Sequence, residues 1–276
     1  MPSLYVVATP IGNLEDVTLR ALQTLRTVKL IAAEDTRKTR KLLTHYDIKT
    51  PLTAYHEHNK WAKLDELLRF LEDEGDIALV SEAGTPGISD PGFELIVAAG
   101  RRNIPVVPIP GPSAVTTAVA VSGLSTRRFT CLGFLPRWAR DRKSFLVSVA
   151  GDPGTLVILE APHRLQATLR DLLGILGDRR LTICRELTKI HEEIFHGSIS
   201  QAASRFSSPR GEFTLVIEGS PEVPPVPPSE SDVVQQLRRL RGEGMAARQA
   251  IAVVSKKTGL PRRELYQLWL KLPELV

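Results

Sequence analysis

The sequence predicts an α/β protein in three parts. These are a parallel-sheet domain over residues 1–122, a mixed-sheet α/β domain over 123–219 and, after a proline-rich linker at 220–230, a basic helical tail over 231–276. Three observations predict it. Up to Leu124, short β-branched runs alternate with longer stretches of helical period, the pattern of βαβ units that build a parallel sheet. Beyond Gly123 the strand-like runs change texture, and two of them lie close enough to form a hairpin. From Asp232 onward only helical period remains.

In the first part the expected strands are Leu4–Ala8, Lys29–Ala33, Leu52–Tyr55, Ile77–Val80 and Ile104–Ile109. Helices are expected at 17–27, 36–46, 60–73, 91–101 and 113–122, and Leu64, Leu67, Leu68 and Leu71 give the third one an apolar stripe at i, i+3, i+4, i+7. Residues Pro105–Leu124 carry no charge, a length that alone would suggest a membrane helix. Prolines 105, 108, 110 and 112 break that segment into a strand, a Pro-Gly-Pro turn and a helix from about Ser113. Met1-Pro2-Ser3 leads straight into an apolar run, with no basic leader or cleavable segment, so no membrane association and a cytoplasmic location are expected.

The second part shows strand runs at 129–134, 155–160, 181–186, 192–198 and 212–218, with helices at 139–149, 163–176 and 199–206. Thr182–Thr188 and Glu193–Ser198 form the expected hairpin. The run from Pro221 to Pro228, five prolines in eight residues, reads as a semi-rigid extended spacer. Helices are then expected at Asp232–Leu240, Ala246–Lys257 and Arg262–Leu270, with Thr258-Gly259-Leu260-Pro261 as the turn. Helix, glycine turn, basic helix resembles a helix-turn-helix module, although a basic three-helix cap would look the same. The formal net charge is +5, and residues 228–276 hold nine Lys or Arg against five Asp or Glu, so +4 of it lies at the end of the chain. A polyanionic partner follows from that placement.

In a parallel sheet ligands bind beyond the carboxyl ends of the strands. Three glycine- or proline-rich loops occupy that edge: Thr9-Pro10-Ile11-Gly12-Asn13, S-E-A-G-T-P-G-I-S-D-P-G at Ser81–Gly92, and Pro110-Gly111-Pro112-Ser113-Ala114. The middle loop matches neither a Walker loop nor a dinucleotide fingerprint, and it has no Lys or Arg but does carry Glu82 and Asp90. Its ligand should be neutral or cationic. Asp90 could equally cap a helix beginning at Pro91. Cys131 and Cys184 belong to no C-x-x-C pattern and are expected as buried free thiols, and His56-Glu57-His58 lacks metal-ligand spacing, so no metal is expected.

Nine motifs then carry a resemblance: L-Y-V-V-A-T-P-I-G-N-L-E-D-V-T at 4–18, A-E-D-T-R at 33–37, H-E-H-N at 56–59, the loop at 81–92, P-G-P-S-A at 110–114, G-F-L-P at 133–136, E-A-P-H-R at 160–164, R-E-L-T-K at 185–189 and G-E-F-T-L-V-I-E-G at 211–219. Together they resemble the tetrapyrrole methylase superfamily and, within it, the 16S ribosomal RNA cytidine 2′-O-methyltransferases. The resemblance covers residues 4–219, with a compatible tail. It implies two α/β domains with the cofactor cleft between them, S-adenosyl-L-methionine as cofactor, a homodimer, and a cytidine 2′-hydroxyl of the small ribosomal subunit as substrate. Related tetrapyrrole methylases carry G-x-G-P-G-D in the first loop and G-D-P in the second. Here stand Ala8-Thr9-Pro10-Ile11-Gly12-Asn13 and Gly84-Thr85-Pro86, which favours the ribosomal branch.

The cofactor contacts that the resemblance implies fall on Ile11, on Thr85 and Ile88, on Ser113 with Ala114, and in the second domain on Glu160, Leu187 and Thr214. S-Adenosylmethionine bears a sulfonium and no phosphate, so a cradle without lysine suits it. A ribose hydroxyl is a poor nucleophile and something must take its proton. Asp35, Glu82, His56 and Asp90 are candidates, with Glu82 or Asp35 expected as base or orienting group; Asp35 and Arg37 could instead only pair with each other. RNA contacts are expected from Arg37, Lys38, Arg40 and Lys41 and, in the tail, from Arg262 and Arg263. A small-molecule methyltransferase acting on a tetrapyrrole, or a non-catalytic RNA-binding protein, are the other readings the residues allow.

Overall fold

The computed structural model describes residues 2–221 and 229–272. Most of the expected linker, residues 222–228, lies outside them. The chain divides into two compact units, Met1–Ser220 and Pro221–Val276.

The first unit holds two five-stranded sheets. Strands β1 (Leu4–Val7), β2 (Leu30–Ala33), β3 (Leu52–Ala54), β4 (Ile77–Val80) and β5 (Val106–Ile109) are joined by helices α1 (Leu19–Thr27), α2 (Thr36–His45), α3 (Lys60–Asp73) and α4 (Phe93–Arg101), and α5 (Ala114–Val121) follows. The sheet order is β3-β2-β4-β1-β5, with every pairing parallel. Helices cover both faces, so the central strands are apolar on both sides: all four residues of β4 are buried. Leu67, Leu68 and Leu71 of α3 pack with Leu79 and Leu95 on one face, while Leu22 and Leu25 of α1 and Leu42 and Leu43 of α2 pack with Val80 on the other.

The second sheet, order β6-β7-β10-β8-β9, is mixed. Its strands are β6 (Phe129–Phe134), β7 (Thr155–Glu160), β8 (Arg180–Arg185), β9 (Glu193–Ser198) and β10 (Phe213–Ile217); β6 and β7 are parallel and the other pairs antiparallel, β8 and β9 being the expected hairpin. Helices α6 (Ala139–Val149), α7 (Pro162–Leu176) and α8 (Ile199–Arg205) cover one face. Alternation along the strands divides the core: Leu156, Ile158, Leu215 and Ile217 face α7 through Leu165, Leu169 and Leu172, while Val157, Val216 and Cys184 face α5 and the first-loop Ile11. Truncating Leu169 at the centre of that helix would cost about 2–5 kcal/mol.

Two expectations change. α4 begins at Phe93, not at Pro91, because Gly92 at φ 146 lies outside helical space, and no side chain caps it; Asp90 is not a helix cap. Cys131 is exposed, because β6 is an edge strand, whereas Cys184 in the interior of the sheet is buried.

The second unit is a three-helix module of α9 (Glu230–Gly242), α10 (Ala247–Thr258) and α11 (Arg262–Leu270). Val233, Leu237, Ile251, Val254 and Leu265 form its own core, and Ser229 caps α9 by accepting from the Asp232 N–H. Arg248, Lys256, Lys257, Arg262 and Arg263 are exposed, and none forms an ion pair among the described residues. Among the described residues no helix is long and apolar enough to cross a membrane.

Candidate active site

The three loops meet at Gly84. Thr9 and Gly84 exchange both backbone hydrogen bonds, at 2.9 and 3.0 Å, which ties the first loop to the second. Gly84 has φ 86, and a Cβ there would sit 3.6 Å from Ile11 Cγ2 and 3.8 Å from the Pro112 carbonyl oxygen of the third loop. Glycine is suited here by the left-handed backbone, since a Cβ would meet its neighbours only at ordinary contact distances.

Around this junction lies a cavity of about 400 Å³. The first sheet contributes Ile11, then Thr85 and Ile88, then Ser113 and Ala114; the second contributes Glu160 at the end of β7, Leu187 after β8 and Thr214 on β10. All eight positions that the resemblance singled out for the cofactor therefore line one space. Phe213 stands opposite both Glu160 and Arg185 in the sheet register, so the end of β7, the start of β10 and the end of β8 share one edge. Among the described residues the lining has no Lys, Arg or His and holds five carboxylates, Glu34, Glu82, Asp90, Glu160 and Glu212. Glu82, Glu160 and Glu212 pair with Lys38, Arg164 and Lys189, so the uncompensated negative charge is that of Glu34 and Asp90, which suits a cation over a polyphosphate.

The carboxylates differ in what occupies them. Glu160 has no exposed side-chain surface; its Oε2 accepts from the Thr168 hydroxyl at 2.6 Å, and its Oε1 accepts from the Ala161 N–H at 2.9 Å and pairs with Arg164 at 3.2 Å. Arg164 donates in turn to the carbonyls of Leu135 and Pro136, at 2.6 and 3.1 Å. Glu212 pairs with Lys189 at 2.9 Å, and Glu82, partly exposed, pairs with Lys38. Glu34 Oε2 accepts from the Glu82 N–H at 2.9 Å. Burial raises the Glu34 carboxyl above its ordinary range against a partial offset from Lys38. Burial and then the charge of Glu34 push the Asp90 carboxyl up to about 6.

Asp35 does not line the cavity. Its carboxylate caps α2, accepting from the N–H groups of Arg37 at 2.8 Å and Lys38 at 3.3 Å, and pairs with the Arg37 guanidinium at 3.1 Å. Those bonds from Arg37 hold it at about 2. The residue at the mouth is Glu34, which was not singled out from the sequence. Its N–H still bonds to Val80 O, at 3.2 Å, so it continues the sheet, whereas Asp35 has already turned to start the helix. The position directly after the last residue of β2 was the available signal.

The cations of α2 divide as well. Arg37, Arg40 and Lys41, at helical spacing, line an open surface groove of about 590 Å³ with Leu14, Thr36, Thr44 and His45, while Lys38 faces the cavity through Glu82. Arg262 and Arg263 lie in the second unit, at the first turn of α11.

Known proteins bear on the site. The family of tetrapyrrole (corrin/porphyrin) methylases matches residues 3–203, and the RsmI C-terminal HTH domain matches residues 227–273. The ribosomal RNA small subunit methyltransferase I of Synechocystis sp. is 50% identical over 275 residues, 99% of each chain. The protein of the same name from Bacillus subtilis is 41% identical over 281 residues, 98% of this chain and 94% of that one. That from Thermotoga maritima is 49% identical over 221 residues, which are 79% of this chain but 99% of its own. Among solved structures, the methyltransferase CobJ superposes with a TM-score of 0.61 at 15% identity, covering 80% of this chain and 95% of that one. Uroporphyrin-III-C-methyltransferase from Thermus thermophilus superposes at 0.56 and 20%, covering 79% and 94%. These structural likenesses establish the fold. With the full-length relatives and the matched C-terminal module, the chain belongs to the ribosomal RNA small subunit methyltransferase I family of the tetrapyrrole methylases.

Proposed function

We propose that the chain transfers a methyl group from S-adenosyl-L-methionine to the ribose 2′-hydroxyl of a cytidine in 16S ribosomal RNA. The observation that carries this is the cation-free cavity at the meeting of the three loops, lined by all eight expected cofactor positions. The residues fit that cofactor: backbone groups and small side chains of the loops would hold its neutral parts, and the acidic wall would face its charge. When bound, S-adenosylmethionine supplies an electrophilic methyl on a sulfonium. The rest falls to the protein, which holds the hydroxyl in line and moves its proton, and positioning alone can supply on the order of several kcal/mol of the barrier.

Glu82, fixed by Lys38 at the cavity edge, acts as an orienting group in this reading, and Asp35 holds the start of α2 and with it Arg37 and Lys38. The α2 groove with Arg37, Arg40 and Lys41 takes RNA phosphates, and Arg262 and Arg263 of the helical module add a second cationic surface. Two cationic surfaces favour RNA over a tetrapyrrole. The substrate is the small ribosomal subunit, the working form a homodimer, and the location the cytoplasm where ribosomes assemble.

The test is transfer of labelled methyl to small subunits that lack the modification, with naked 16S RNA in parallel, followed by mapping through reverse-transcription pauses at low nucleotide. Label at one cytidine ribose is expected. Retention of subunits without transfer would leave a binding protein, and transfer only to a tetrapyrrole would move the chain to the small-molecule branch.

A further inference from the structure

Among the cavity residues without a cofactor assignment, Glu34, Glu82, Ser89, Asp90 and Phe134 form a connected set: Glu34 accepts from the Glu82 N–H, the Glu34 charge acts on Asp90, and Ser89 lies against Gly133, the residue before Phe134. Two left-handed backbone positions meet there. Ser89 has φ 66, a conformation a serine adopts only when its surroundings impose it. Gly133 has φ 62, and a Cβ on it would lie 3.2 Å from Ser89 Oγ. The β6–β7 register shifts between Cys131 and Gly133, so β6 is bulged where it reaches the second loop. The residue after that bulge is Phe134, 55% exposed although it lines the cavity. Other large apolar side chains of this chain are exposed too, but Phe134 shares its cavity with Glu34 and Asp90.

Resting on the function proposed above, we infer that this set forms the nucleoside subsite: Phe134 stacks on the target base, Asp90 is the catalytic base that receives the 2′-hydroxyl proton, and Glu34 is a positioning residue. Stacking on an aromatic side chain is how proteins commonly hold an unstacked base. In the step itself the hydroxyl oxygen forms the new O–C bond, the S–C electron pair stays on sulfur, and the proton passes to Asp90 and then to water. Charge is conserved, since a sulfonium and a carboxylate become a thioether and a carboxylic acid.

Asp90 suits the task. A carboxyl pushed up to about 6 by burial and by Glu34 is still ionised at neutral pH, yet is a stronger base than an ordinary carboxylate. The other charged groups lining the cavity are Glu82, Glu160 and Glu212, paired with Lys38, Arg164 and Lys189; His56 acts on Glu34, and a hydrogen bond from Ser81 partly offsets the rise at Asp90. Glu34 has its Oε2 bonded to the Glu82 N–H, so it is held in place to act on Asp90.

Two measurements test the subsite. Binding of unmodified small subunits, measured with S-adenosylhomocysteine so that no chemistry occurs, should weaken about 5- to 100-fold in Phe134→Ala and recover in Phe134→Tyr, with cofactor affinity unchanged. Methyl transfer by Asp90→Asn should fall about 100-fold or more with subunit and cofactor binding both within threefold of the parent. In the parent, kcat should rise with pH through about 6, and Glu34→Gln, by removing a negative charge beside Asp90, should move that limb to lower pH. Unchanged binding by Phe134→Ala, or parental kcat in Asp90→Asn, would overturn the inference. If Asp90→Asn weakens cofactor binding, methyl transfer is read at saturating cofactor in Asp90→Asn and in Asp90→Ser, and a parental rate in either would equally count against it. Failure of the parent protein to methylate subunits at all would strike the proposed function instead.

Discussion

Glu160 separates a structural from a ligand-binding role in the same cavity wall. Its carboxylate is enclosed and fully engaged, by Thr168 at 2.6 Å, the Ala161 N–H at 2.9 Å and Arg164 at 3.2 Å, so it has little left to offer a cofactor. Glu160→Gln keeps one acceptor oxygen for the Ala161 N–H and turns its amide NH2 to the Thr168 hydroxyl as a donor, but removes the charge opposite Arg164, whose side chain is only 16% exposed. Breaking a buried pair by removing one partner costs about 3–5 kcal/mol, and because Arg164 keeps the carbonyls of Leu135 and Pro136, the low end applies, about 3 kcal/mol. For a unit of this size that is a melting temperature lower by roughly 6–12 °C. Urea and thermal unfolding followed by circular dichroism read the stability, and calorimetric titration with S-adenosylmethionine at 15 °C, where the variant stays folded, reads the affinity. A Kd within threefold of the parent is expected. A tenfold loss of affinity with unchanged melting would refute the reasoning, since Glu160 would then be a ligand contact and its network incidental.

Other outcomes follow from the same geometry. Gly84→Ala should lose about 1–2 kcal/mol of stability from its φ of 86 and weaken cofactor binding, because the methyl group would enter the meeting point of the three loops; equal affinity by calorimetry would argue against that location for the site. Removing residues 229–276 should weaken binding to small subunits, with a shallower salt dependence measured by filter binding between 50 and about 200 mM salt, while the cofactor Kd stays put. Exposed Cys131 should react with a thiol reagent in the native protein, whereas burial pushes the Cys184 thiol up to about 11 and should leave it unreactive until unfolding, as mass spectrometry of alkylated peptides would show.

Most of the fold was legible because its elements are long, periodic and punctuated. The stripe of α3, the prolines before α5 and the continuous apolar runs of β7 and β10 each mark an element without reference to the rest of the chain. The three loops could likewise be assigned to one edge, since in a parallel sheet every strand ends on the same side. Errors arose where neighbours in sequence part company in space. Glu34 and Asp35 are adjacent, yet one is held in the sheet by Val80 O and the other turns to cap α2. Lys38 and Arg37 are adjacent on a basic helix, yet helical geometry sends one to Glu82 and the other to the outer groove.

Periodicity and loop composition thus determined the two sheets, the helical module and the common edge where ligands gather, because those depend on intervals of a few residues. Only tertiary structure decided the roles within that edge. Glu34 meets Glu82 across 48 positions, and Gly133 meets Ser89 through a bulge in a different sheet. Which carboxylate is capped, paired or left half-buried depends on atoms brought from far along the chain, and Asp90 is raised by its burial and by Glu34 from the end of a different strand.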